Sequence, residues 1–240
     1  MRALRRILIL LVVLVALLAV ADRVAAWAAQ RAVAEKVERE LAGADVQSAP
    51  PEATVNGIPF LTQVAAGRYD SVTLRLRNVG TGEITLPLVE LTASGVDAPA
   101  STIIDGDGPI VADRVDGTAL IGYATVAALT QLEGLELSAG EDGQLAVRLP
   151  TELVGQPVVL VGVAGLEVID SGVQLHVDNL EVEEPPLPPG AEQRVTELIQ
   201  QLAVTVQLPP LPYGLQLAGV AAAADGLAVS VTAQDVPLAR

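Results

Sequence analysis

Two hydrophobic patterns follow one another at the start of the chain. Ile7–Ala21 is an unbroken run of 15 apolar residues behind Arg2, Arg5 and Arg6, the order of an export signal whose arginines stay on the cytoplasmic side. From Asp22 to Leu41 the run gives way to Trp27, Gln30, Ala34, Val37 and Leu41 at alternating steps of three and four, with charges between them. That spacing predicts an amphipathic helix, which Gly43 ends. A full membrane span takes roughly 20 apolar residues, so the first run reaches that length only by continuing through Asp22-Arg23 into Val24–Ala29. Ala19-Val20-Ala21 also offers a small-x-small cleavage site. Residues 1–21 therefore read as a signal peptide or a signal anchor, and the direct passage into the next helix favours an anchor through residues 7–21. Residues 22–240 read as a single extracytoplasmic domain.

Beyond the stiff Ser48-Ala49-Pro50-Pro51 connector the period changes to two. Asn56-Gly57 supplies a tight turn and Pro59 keeps Ile58 extended, so a strand ends near Val55. Phe60–Ala66 is apolar except for Thr62 and Gln63, and Gly67 can close a short helix there. Behind it Val72, Leu74 and Leu76 point one way while Thr73, Arg75 and Arg77 point the other. Further strands are expected over Glu83–Leu91 and Val115–Ile121, with residues 93–111 as a loop and a helix over Tyr123–Leu132. A hairpin pairs Leu135–Ser138 with Leu145–Leu149 about Glu141-Asp142-Gly143. Val158–Ala164 is apolar at both parities, the mark of a strand covered on both faces. In its partner the apolar parity switches between Val177 and Leu180, which places a β-bulge at Asp178-Asn179. A proline-rich acidic connector over 183–190 leads to a second amphipathic helix at Val195, Leu198, Ile199 and Leu202, then to Val204–Leu208 and to strands Leu215–Ala221 and Leu227–Ala233 joined through Asp225-Gly226. The pattern as a whole predicts an α+β fold, a long antiparallel sheet rolled over amphipathic helices with an aliphatic interior, preceded by the N-terminal helix.

Composition narrows the function. The chain is 51% hydrophobic but 2% aromatic, and its formal charge is −15. Without Arg2, Arg5 and Arg6 the body holds eleven basic against 29 acidic residues. Such a body repels phosphate backbones and lacks aromatic rings for base stacking, so nucleic acid is not a partner. The absence of cysteine excludes disulfides and thiolate chemistry. His176 shares a strand face with Gln174 and reads as solvent-exposed. Asp170-Ser171-Gly172 resembles an aspartic protease motif, but a single copy between two strands reads as a turn, since that chemistry needs two carboxylates. Asp105-Gly106-Asp107-Gly108 starts like a calcium loop, yet Pro109 takes the third ligand position and Asp116 the place of the closing glutamate. No catalytic residue, metal site or cofactor is expected.

Three blocks in order carry a resemblance. Asn56-Gly57-Ile58-Pro59-Phe60-Leu61-Thr62-Gln63 with Gly67-Arg68-Tyr69-Asp70, then Ala112–Thr118 before Tyr123, then Leu211-Pro212-Tyr213-Gly214-Leu215 before the closing strands are similar to the LmeA family of actinobacterial envelope proteins. The resemblance implies a tubular lipid-binding fold, a long curved antiparallel sheet wrapped around helices, with phospholipid as ligand and the cytoplasmic membrane as neighbour. An aliphatic tube suits such a ligand, because each buried methylene contributes roughly 0.8 kcal/mol. The candidate lining is Phe60, Leu61, Tyr69, Val72, Leu74 and Leu76. Arg68, Arg75 and Arg77 are the headgroup candidates, because arginine binds phosphate bidentately. The expected role is non-enzymatic phospholipid binding outside the cytoplasmic membrane, in support of envelope lipid and lipoglycan maintenance. The alternative is a structural envelope module with a filled core, acting through protein contacts.

Overall fold

A computed structural model describes residues 2–80, 85–99, 101–102, 108–130, 132–153, 155–169, 172–183, 205–207, 211 and 214–239. The two N-terminal patterns form one continuous helix, α1 (Arg2–Gly43). It runs unbroken through the junction because neither glycine nor proline interrupts residues 2–42, and there Arg23 donates a side-chain hydrogen bond to Asp22. Beyond Ala21 its covered residues are Asp22, Ala25, Ala26, Ala29, Gln30, Val33, Ala34, Val37 and Leu41, a helical stripe with three- and four-residue steps. The expected face is thus rotated: Gln30, Ala34, Val37 and Leu41 lie on it, but Trp27 is 60% exposed. Alanines at 25, 26 and 29 take the covered side because they let other backbone come close. Trp27 faces outward with the Arg31 guanidinium 5.7 Å above its ring.

The strands form two sheets. The first has six strands in the order β1-β2-β3-β4-β11-β10, comprising β1 (Glu52–Asn56), β2 (Arg68–Gly80), β3 (Thr85–Asp97), β4 (Ile110–Ile121), β10 (Gln216–Ala223) and β11 (Gly226–Ala239). The second has five in chain order, β5 (Glu136–Ala139), β6 (Leu145–Leu153), β7 (Gln156–Ile169), β8 (Gly172–Val182) and β9 (Thr205–Gln207). The pairs β1–β2 and β10–β11 in the first sheet and all four pairs in the second run antiparallel. With α2 (Phe60–Ala66) and α3 (Tyr123–Thr130) this is the α+β architecture the patterning predicts.

Several expectations hold to within a residue or two, and others shift. The β5–β6 and β10–β11 hairpins have the anticipated turns. On β8, Asn179 faces Val163 and Val177 faces Ala164, so Asp178 is the extra residue of the predicted bulge. Residues 93–97, expected in a loop, instead complete β3, and β4 starts at Ile110. Gly95, at φ 60, lets β3 continue where a side chain would strike Asp113. Val158, Leu160 and Ala164 are buried on one face of β7, whereas Val159, Val161 and Val163 on the other are half-buried, so that strand is less completely covered than its composition implies. His176 is half-buried and not solvent-exposed, its ring lying over Gly165 of β7. The predicted helix at Val195–Leu202, Asp170-Ser171, Asp105–Asp107 and most of the 183–190 connector lie outside the described residues.

The chain forms two compact units that interleave along the sequence. One comprises Met1–Leu76, Glu90–Asp116 and Ala233–Arg240; the other comprises Arg77–Val89 and Gly117–Thr232. The first has a core of small and aromatic residues, among them Ala26, Phe60, Tyr69, Val96, Ala112 and Val236. The core of the second is aliphatic, built on Leu145, Val147, Leu149, Val158, Leu160 and Ala164, with α3 packed on it through Tyr123 and Val126. The Tyr123 hydroxyl donates to the Ala223 carbonyl and ties α3 to β10.

Candidate functional site

The predicted lining begins at α2, and local sequence explains why a seven-residue helix stands there. Gly57, at φ 95, turns the chain out of β1, in a place where any side chain would strike Asp70 and Gln63. The Ile58-Pro59 peptide is cis, and Pro59 occupies the N-cap with no side chain able to bond the first helical amides. Thr62 Oγ1 donates back to the Pro59 carbonyl at 2.8 Å. At the other end Gly67 adopts the left-handed conformation, φ 69, and its N–H returns to Val64 O at 3.2 Å.

Two residues read as incidental in the sequence hold this element in place. Gln63, the polar interruption in the apolar run, is buried. Its Nε2 donates to Asn56 O at 3.2 Å and its Oε1 accepts the Asp70 N–H at 2.8 Å, so one side chain joins the end of β1 to the start of β2. Asp22, which looked like an expense at the end of an apolar run, is also buried. Its Oδ1 accepts the Leu61 N–H at 2.7 Å. It supplies from α1 the cap that Pro59 cannot provide.

Phe60 and Tyr69 come together behind α2, with ring centroids 6.1 Å apart and planes at 40°. Both are buried, and burial pushes the Tyr69 hydroxyl above its ordinary pKa. Leu61, the next residue on α2, faces out and is 40% exposed. Val72 and Leu74 are half-buried and Leu76 is buried, along the face of β2 expected from alternation. The opposite face is polar. Asn56 Nδ2 donates to Ser71 Oγ at 3.0 Å and to Thr73 Oγ1 at 3.3 Å, and Thr73 meets Thr92 of β3 at 3.2 Å.

The three arginines are not brought together. Arg68 lies seven residues before Arg75, about 23 Å along a strand, whereas Arg75 and Arg77 share a face. Arg68 spans three strands, donating to Asp97 of β3 at 2.8 Å and to Asp113 of β4. Both carboxylates raise its pKa. Arg75 pairs with Glu90 of β3, and that pairing raises its pKa as well. Arg77 has an interaction partner too. The guanidinium charges are held by cross-strand carboxylates or other partners, an outcome that spacing along one strand does not reveal. Among the described residues no group of three or more histidines and carboxylates is arranged to hold a metal ion.

On α1, the apolar run from Ile7 to Val20 is solvent-exposed throughout. The helix that carries it is the one helix among the described residues long and apolar enough to cross a membrane. Compared with known proteins, residues 20–232 match the family model described as LmeA-like phospholipid-binding. No curated protein and no solved structure matches the chain at a significant level.

Proposed function

From a chain that belongs to the LmeA-like phospholipid-binding family, we propose a protein that binds phospholipid without catalysis on the outer side of the cytoplasmic membrane, held there by residues 7–21. The family match over 20–232 carries this reading, and the bare apolar half of α1 supports the location. In it Phe60, Leu61, Tyr69, Val72, Leu74 and Leu76 contact acyl chain. The energetics suit exchange with a bilayer. Covering an acyl chain of sixteen carbons is worth roughly 11 kcal/mol against water, but the membrane covers it equally well, so the net cost of moving lipid between the two is small. Selectivity then falls to the headgroup. Of the candidate arginines, Arg75 and Arg77, which share a face of β2, serve as its contacts by exchanging their present partners for a phosphate, which arginine binds in the same forked geometry as a carboxylate, whereas Arg68, about 23 Å along the strand, does not reach the same headgroup. Support of envelope lipid and lipoglycan maintenance follows from holding lipid outside the membrane.

Native mass spectrometry of detergent-released full-length protein, before and after incubation with phospholipid vesicles, tests the reading. Masses of the chain plus one or more phospholipids are expected. Protein that is isolated empty and takes up none overturns it. Arg75→Gln and Arg77→Gln should shift the bound population from anionic toward zwitterionic lipids, and an unchanged lipid profile removes the headgroup assignment.

A further inference from the structure

The junction between α1 and α2 fixes part of the body against the membrane. Asp22 follows directly on the apolar run and its carboxylate holds the Leu61 amide at 2.7 Å. The Ile58–Leu61 tip is therefore attached beside the outer end of the span. That tip exposes apolar side chains: Ile58 is 80% exposed and Leu61 40%. On the other sides of α1 at the same level, Val24 is 59% and Trp27 60% exposed.

Helix length says how deep this level lies. Ile7–Ala21, at 1.5 Å per residue, is about 22 Å long, short of the roughly 30 Å hydrocarbon core. Ile7–Trp27 is about 31 Å long and fits it. A span ending at Trp27 puts an indole, with Arg31 over its ring, at the interface where Trp and Arg gather. Asp22 then sits five residues, about 7.5 Å, below that interface. The charge this buries is met by the Leu61 amide and by Arg23, which donates to the same carboxylate.

We infer that the Ile58–Leu61 tip inserts into the acyl region of the outer leaflet beside the protein's own span. The inference rests on the anchored phospholipid-binding reading, and the test separates the two.

The chain has no cysteine, so single-cysteine variants of the full-length protein can each carry one environment-sensitive fluorophore. Val15→Cys reports the span, Ile58→Cys the tip, and Ala42→Cys, about 30 Å beyond Asp22 along α1, the distant end. The proteins are reconstituted in phosphatidylcholine–phosphatidylglycerol vesicles containing lipids spin-labelled either near the headgroup or near the acyl terminus. The expected result is loss of the Val15 signal with the deep quencher, loss of the Ile58 signal with the shallow one, and an unquenched Ala42 label. A quenched Val15 with an Ile58 label that stays in water overturns the inference and leaves the anchor standing. An unquenched Val15 overturns both. Quenching at Ala42 as well means that α1 lies along the surface, which also overturns the inference. Lipid carried by the same preparations, read by mass spectrometry, tests phospholipid binding independently of all three.

Discussion

Replacing Phe60 by alanine tests whether α2 is a packed wall or a loosely held flap. Phe60 is 5% exposed, so nearly all of its side chain is withdrawn from water. A buried aromatic removes about 150–250 Å², which at about 25 cal/mol per Å² is ~4–6 kcal/mol. Alanine retains roughly a quarter of that area, which leaves a loss of ~3–4.5 kcal/mol. The tilted contact with Tyr69 adds about 1 kcal/mol, and the total falls in the range of ~3–5 kcal/mol usual for such truncations. Leu61→Ala, one position along the same helix, removes three carbons from a side chain that is 40% exposed, for about 1.5 kcal/mol. Amide hydrogen exchange along β2, in lipid-free protein held in detergent, reads the local opening equilibrium. Phe60→Ala should lower protection there by roughly a thousandfold, since each factor of ten is about 1.4 kcal/mol, and Leu61→Ala by roughly tenfold. Equal losses for the two substitutions would refute the placement of Phe60 inside and Leu61 outside.

Other outcomes follow from the same geometry. Gly67→Ala should destabilise by about 1–2 kcal/mol, measured by chemical denaturation, because the C-cap residue sits at φ 69 and an added Cβ would lie 3.2 Å from Pro99 Cα. Leu160→Ala, at 0% exposure in the aliphatic core, should cost ~2–5 kcal/mol in the same assay. The raised pKa of Tyr69 means that the folded state keeps its proton longer than the unfolded chain. Its contribution is complete below about pH 10 and is lost as pH climbs from there through the folded value. Tyr69→Phe should therefore flatten the alkaline decline in melting temperature, and an unchanged decline counts against burial of that hydroxyl.

Much of the strand content was legible because period-two alternation and turn residues are local signals. Asp225-Gly226 and Glu141-Asp142-Gly143 mark real hairpin turns, and the parity switch between Val177 and Leu180 located a bulge to the residue. Gly95 was misleading for the converse reason. Ala93-Ser94-Gly95-Val96-Asp97 has loop composition, but its glycine is needed inside a strand to clear Asp113, which is fastened to Arg68. A glycine that turns the chain and one that makes room for a neighbour look alike until the neighbour is known. The arginines of β2 illustrate the same limit. Their spacing was readable, but Asp97, Asp113 and Glu90 lie on other strands.

Asp22 and Pro59 show the limit most sharply, because each looks like a defect when read alone. A carboxylate at the end of an apolar run costs free energy wherever the run is covered by lipid, and a proline N-cap leaves the first amides of α2 without a side-chain acceptor. Asp22 lies 39 residues from the Leu61 amide that it caps, and the two defects remedy each other. The long helix α1 supplies the missing acceptor, and the short helix supplies the missing donor. Moving the carboxylate one position, as in Asp22→Ala combined with Arg23→Asp, keeps one acidic group at the junction but turns it about 100° around α1. That variant should expose the α2 amides to exchange as fully as Asp22→Ala alone, whereas Asp22→Asn, which retains an oxygen acceptor, should restore part of their protection. If charge alone fastened the two helices, Arg23→Asp would rescue and Asp22→Asn would not, so the exchange rate at the Leu61 amide separates the two accounts.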